Sequence, residues 1–147
     1  MATRKRLDFF DWPRADMIRV RFSPDGRYFA MAGVNEGRMM FCDLTTRERR
    51  PIGRGYRSGL HDLVFSTDGR RLVTAGTMPN GVVKIWDVET GRDVATLPGE
   101  AGFLFNHIGF SPDGKTLFAN SLEMVSLLWR APSWEEIEAA ENRKQGP

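Results

Sequence analysis

Residues 22–26 read FSPDG, residues 65–69 read FSTDG and residues 110–114 read FSPDG again. The starts lie 43 and 45 residues apart, and the glycine of each opens a second matching run: GRYFAMAG, GRRLVTAG and GKTLFANS. Further along each copy come GRMMFCDL at 37–44, GVVKIWDV at 81–88 and MVSLLWRA at 124–131. Three blocks in one internal order make this a repeat chain, so its fold is read per repeat.

Each repeat reads as four short antiparallel strands. Ile18, Val20 and Phe22 fall on one side of an extended segment, with arginines between them. In the turn that follows, Pro24 pre-sets φ and Gly26 supplies a left-handed position; Gly69 and Gly114 recur there, and Thr67 replaces the proline in the middle copy. A second strand is expected at 72–75, a third at about 82–88, and a more polar fourth at 93–97 after a Glu89-Thr90-Gly91-Arg92 turn. Four short strands at this period form one blade of a propeller.

The repeats resemble the WD-repeat β-propeller family over roughly residues 17–131. The signature Trp-Asp pair is intact at Trp86-Asp87; Cys42-Asp43 and Trp129-Arg130 stand in its place in the other copies. Where the family opens a unit with Gly-His, this chain has Gly55-Tyr56 and Gly99-Glu100. The family's buried turn aspartate is replaced by Glu36, Asn80 and Glu123, and its strand hydroxyl survives only as Thr74. The resemblance therefore implies blades held mainly by apolar packing, with the family's hydrogen-bond network complete in none of them. The expected architecture is all-β: a partial propeller of three four-stranded blades (about 17–52, 60–97 and 105–131), an N-terminal arm over 1–16, and a C-terminal helix and tail over 132–147. Ser133 with Glu136 forms a capping box for that helix, and Trp134, Ile137 and Ala140 share one face. This ending resembles those of bacterial WD-repeat proteins.

Propellers use about four to eight blades. Three leave exposed faces that stacked neighbours normally bury, and unpaired edges that invite association. The arc is expected to be finished by self-association or by a chain supplying the missing blades. KRLDFF at 5–10 sits where the family places an outer strand of a preceding blade, so it is a candidate for exchange between copies. A segment of a larger multidomain signalling protein is the alternative.

At 147 residues, with 41% hydrophobic and 27% charged residues and a net charge of +2, the composition is that of a folded domain with no strong pull toward nucleic acid or membrane. A lone cysteine excludes an intrachain disulfide, and no apolar run suits a signal peptide or a membrane span. A cytoplasmic location is expected. His61 and His107 precede their turns by different intervals, and with Cys42 they make a poor metal set, so no metal, cofactor or catalytic constellation is expected. Asp25, Asp68 and Asp113 recur as turn residues. Cys42 takes the place of a packed tryptophan and is expected to be buried. RERRPIGRGYR at 47–57 carries five arginines and one glutamate; a nucleic-acid backbone and an acidic protein surface are its possible partners, against a solvated outer strand. The resemblance also implies that loops gather near the channel on one face, presenting Arg54, Tyr56, Arg57, Met78, Asn80 and Phe103 to a protein or peptide partner. The expected function is a non-catalytic interaction scaffold.

Overall fold

The structure is a computed structural model that describes residues 18–33, 37–52, 60–76, 81–99 and 103–131. These residues form eleven strands and no helix. The first blade is β1 (Ile18–Phe22), β2 (Tyr28–Gly33), β3 (Met39–Asp43) and β4 (Arg49–Ile52). The second is β5 (Leu60–Phe65), β6 (Arg71–Gly76), β7 (Val82–Asp87) and β8 (Asp93–Pro98), and the third is β9 (Phe105–Phe110), β10 (Thr116–Ser121) and β11 (Ser126–Arg130). Within each blade every strand pairs antiparallel with its sequence neighbour, as expected for a propeller meander. The third blade has three strands among the described residues. Its expected fourth strand, the arm at 1–16 with the 5–10 segment, and the C-terminal helix lie outside them.

The turn chemistry read from the pentapeptides is repeated three times in the same form. Gly26, Gly69 and Gly114 adopt φ of +71°, +70° and +71°, a region that only glycine enters without cost. The preceding Ser23, Ser66 and Ser111 each donate from Oγ to the turn aspartate at 2.5 Å. Each also accepts a backbone N–H from the start of the next strand. Asp25, Asp68 and Asp113 take a second bond from the N–H two residues on. Those hydroxyl and amide bonds hold all three carboxyls below the ordinary range.

Alternation along the strands gives each blade a leading face toward the preceding blade and a trailing face toward the next. Ala30, Ala32, Met39 and Phe41 on the first blade's trailing face share a core with Leu63, Phe65, Leu72 and Trp86 of the second. Val73, Ala75 and Val83 do the same against Phe105, Ile108, Leu117 and Ala119 of the third. Blades meet chiefly through the innermost strand of the following blade: β5 against β1 and β2, and β9 against β5 and β6. Cys42 is buried with Phe29 and Met31 on the first blade's leading face, and burial pushes its thiol pKa up.

Candidate functional site

The β1–β2 type turns and the β3–β4 type turns share one end of the blades, and the opposite end carries the loops expected to recognise a partner. Arg54, Tyr56, Arg57, Met78 and Asn80 lie outside the described residues. Phe103 is described, half-buried, and packed on the core between the second and third blades, edge-on to Phe105 at 6.1 Å. Its backbone passes so close to Gly81 that a Cβ there would sit 2.5 Å from the Phe103 carbonyl oxygen. Phe103 thus joins one blade's loop to the next blade's start. On the same end, Glu123 accepts the Leu104 N–H at 3.1 Å, which holds its carboxyl below the usual range. Glu123 therefore ties its turn to the strand entry of its own blade, as a turn acid should. Glu36 and Asn80, the other two replacements, lie outside the described residues.

The Trp-Asp position also reads out physically. In the second blade the Trp86 indole N–H donates to Thr74 Oγ1 at 2.8 Å, both groups buried, so this one link of the family network is present. Trp129 packs edge-on to Phe105 at 6.3 Å in the third blade. Asp43 Oδ1 accepts the N–H of Thr45 and of Thr46, and Oδ2 pairs with Arg27 at 3.0 Å. Burial opposes ionisation of Asp43, and these bonds outweigh it to lower the pKa. Asp87 repeats the arrangement with Thr90 and Arg71, and its carboxyl is likewise held low, chiefly by the Thr90 amide and hydroxyl. Each aspartate thus locks an outer turn and pins an arginine, Arg27 just ahead of β2 and Arg71 at the start of β6. Arg130 at this place in the third blade breaks the pattern.

A polar hub that sequence reasoning missed joins all three blades. Arg19, Asp62 and His107 occupy one position, three residues before the turn phenylalanine of their repeats. Asp62 is only 3% exposed. Its Oδ1 accepts Arg21 Nη2 of the first blade at 2.9 Å. Its Oδ2 accepts His107 Nδ1 at 2.7 Å and the buried Ile108 N–H at 3.2 Å, both from the third blade. A carboxylate only accepts, so His107 carries its proton on Nδ1. A bulge in β5 at His61 turns that residue's carbonyl toward Arg19 Nε, 3.0 Å away. Burial, with the Arg19 charge as a second cause, pushes the His61 imidazole pKa down. The signal that could have found the hub is a carboxylate set inside an apolar inner strand.

The basic stretch at 47–57 is partly committed to the fold. Arg50 donates to the Val88 and Glu89 carbonyls of the second blade and lies over the Phe41 ring, 5.6 Å from its centroid. Among the described residues, no group of three or more His, Cys, Asp or Glu is placed to hold a metal ion.

Comparison with known proteins agrees with this geometry. Residues 49–87, spanning β4 to β7, match the family model described as WD domain, G-beta repeat. WD repeat-containing protein SL1-17 of Schistosoma mansoni is 34% identical over 121 residues, covering 82% of this chain and 38% of that protein. Cilia- and flagella-associated protein 57 of Mus musculus is 32% identical over 99 residues, covering 67% of this chain and 7% of that protein. WD repeat-containing protein 1 of Mus musculus is 32% identical over 93 residues, 61% of this chain and 15% of that protein. The chain spans 38% or less of the length of these relatives.

Proposed function

Because this chain belongs to the WD-repeat family, we propose that it is a non-catalytic protein-interaction scaffold, acting in the cytoplasm, whose three-bladed arc is completed by another chain. The observation that carries the reading is the hub at Asp62. One buried carboxylate bonded to both neighbouring blades, between two continuous apolar cores, makes the arc a rigid frame for its loops. The repeat acids support a structural rather than chemical role, since Asp25, Asp43, Asp68, Asp87 and Asp113 are each engaged by turn amides or hydroxyls. Binding is assigned to the loop face, with Arg54, Tyr56, Arg57, Met78, Asn80 and Phe103 as anchors.

The test is affinity capture with the whole chain, wild type against Tyr56→Ala and Asn80→Ala. Loss of the same protein from both variants is expected. A partner set untouched by either change sinks the loop-face assignment. A second reading, a segment of a larger multi-bladed protein, is favoured by the short share of each relative that the chain covers. In that case the arc is closed by blades that this chain lacks.

A further inference from the structure

Aligned on their turns, the three repeats place Phe41, Ile85 and Leu128 at one position of the trailing face, and Phe22, Phe65 and Phe110 at one position of the leading face. Consecutive members of these two series meet at each internal junction. Phe41 lies edge-on to Phe65 with ring centroids 5.7 Å apart, and Ile85 shares a core with Phe110. Leu128 and Phe22 remain at opposite ends of the arc, 68% and 64% exposed, whereas Phe41 and Phe65 are buried. We propose that Leu128 of one copy docks on Phe22 of a second copy, head to tail, so that two arcs close one six-bladed ring with two identical junctions. This rests on the reading that another chain completes the arc, and it names that chain.

Three features of the molecule support a second copy. The internal junctions run through the innermost strand of the following blade, and among the described residues β1 is the inner strand with no blade before it. Val20 and Phe22, the exposed apolar residues of β1, lie on its leading side. Phe29, Met31 and Cys42, farther out on that face, are buried already, so the junction is a narrow one along β1. The polar groups also continue the series. Asp62 serves the Ile108 N–H at one junction; His107, one blade on, donates its Nδ1–H to Asp62 and is 55% exposed. Its Nε2 is thereby the ring nitrogen left at the place equivalent to Asp62, where Val20 of the second copy holds the position of Ile108. Beside it on the trailing face, Ser126 Oγ donates to Asn120 Oδ1 at 2.8 Å, so this pair is covered without leaving both groups unbonded. Two arcs of three blades also fall within the range of about four to eight that closes a propeller.

The experiment is light scattering coupled to size exclusion on the full chain over a concentration series, with Phe22→Lys and Leu128→Glu. Both positions are exposed, so neither change threatens the fold. Wild type is expected at twice the 16.7 kDa chain mass. Each variant alone is expected to weaken dimerisation about 100-fold or more, because a charge replaces the apolar anchor at both junctions. An equal mixture then regains a dimer, in which one junction pairs lysine with glutamate and the other is native. A monomeric wild type at tens of micromolar, a dimer indifferent to both changes, or a mixture that stays monomeric overturns the proposal. A monomer that still captures a protein through its loops overturns this junction and leaves the scaffold reading standing; a dimer that captures none does the reverse.

Discussion

Replacing Asp62 with alanine removes one carboxylate and three interactions at once, and the structure says which of the three matter. Arg21 and His107 are 42% and 55% exposed, so both can turn to water once the carboxylate is gone. Their share of the loss is accordingly modest, well short of what an uncompensated buried charge costs. The Ile108 N–H is buried and has no such recourse; an orphaned buried donor costs about 1–3 kcal/mol. Adding the weakened Arg21 pair gives an expected loss of about 2–3 kcal/mol for Asp62→Ala. Asp62→Asn keeps the shape and can still offer its amide oxygen to His107 and Ile108, so it should lose only about 1 kcal/mol. The assay is urea unfolding followed by the fluorescence of the tryptophans, which include Trp86 and Trp129 in different blades. Because the hub bonds three blades, the alanine variant should also unfold less cooperatively, with a lower denaturant slope. An alanine variant within about 0.5 kcal/mol of wild type, or an asparagine variant as damaged as the alanine one, would refute the idea that Asp62 couples the blades.

Other changes test single links. Arg47 sits at φ +61° where the second blade has Gly91 at +67°; Arg47→Gly should stabilise by about 0.5–1 kcal/mol, read as a raised thermal midpoint. Thr74→Val strands the buried Trp86 indole N–H and should cost about 1–2 kcal/mol, and adding Trp86→Phe should recover part of that in a double-mutant cycle. Gly81→Ala places a methyl 2.5 Å from the Phe103 carbonyl at a positive φ, so circular dichroism melts should show a fall of several degrees. The Asp113 carboxyl is depressed in the folded state, so its contribution is full above the unfolded carboxylate value and is lost as pH falls through the folded one. Asp113→Asn should therefore flatten the acid side of the stability profile below about pH 4, measured by denaturant titration at each pH.

How much of this was legible in the sequence follows from what each feature depends on. The turns depend on four adjacent residues, so FSPDG and its copies specified the left-handed glycine, and the structure added the serine that bonds the aspartate. Alternation within one strand decides which face a side chain takes, so Val20 and Phe22 could be placed on one side of the first strand. The hub depends instead on three strands separated by more than 40 residues, with Asp62 and His107 at one register position and Arg21 two residues beyond it. Read one strand at a time, His61 and His107 are unrelated, and Asp62 is a polar residue out of place. Only the closed register of the inner strands makes them partners. The loop anchors are harder still, since their placement depends on segments whose conformation no local pattern dictates.

The same reasoning bears on the two ends of the arc. At the first internal junction Phe41 is covered by Phe65 of the next inner strand and both are buried, and at the second the half-buried Ile85 and Phe110 share a core. Repetition makes the third junction a prediction of the sequence itself, because Leu128 and Phe22 hold the positions that their counterparts fill in the core. Polar substitution on the last trailing face does not contradict this. Ser126 Oγ donates to Asn120 Oδ1 and His107 donates its Nδ1–H to Asp62, so these polar groups on that face are oriented before any partner arrives. A face oriented in advance loses less conformational freedom on association than one that must reorganise. The carboxylate that couples the blades within one arc thereby also sets which hydrogen-bonding group the arc presents at its end. On this account Asp62→Ala should weaken pairing of the copies as well as the fold, even though Asp62 lies one blade away from the junction.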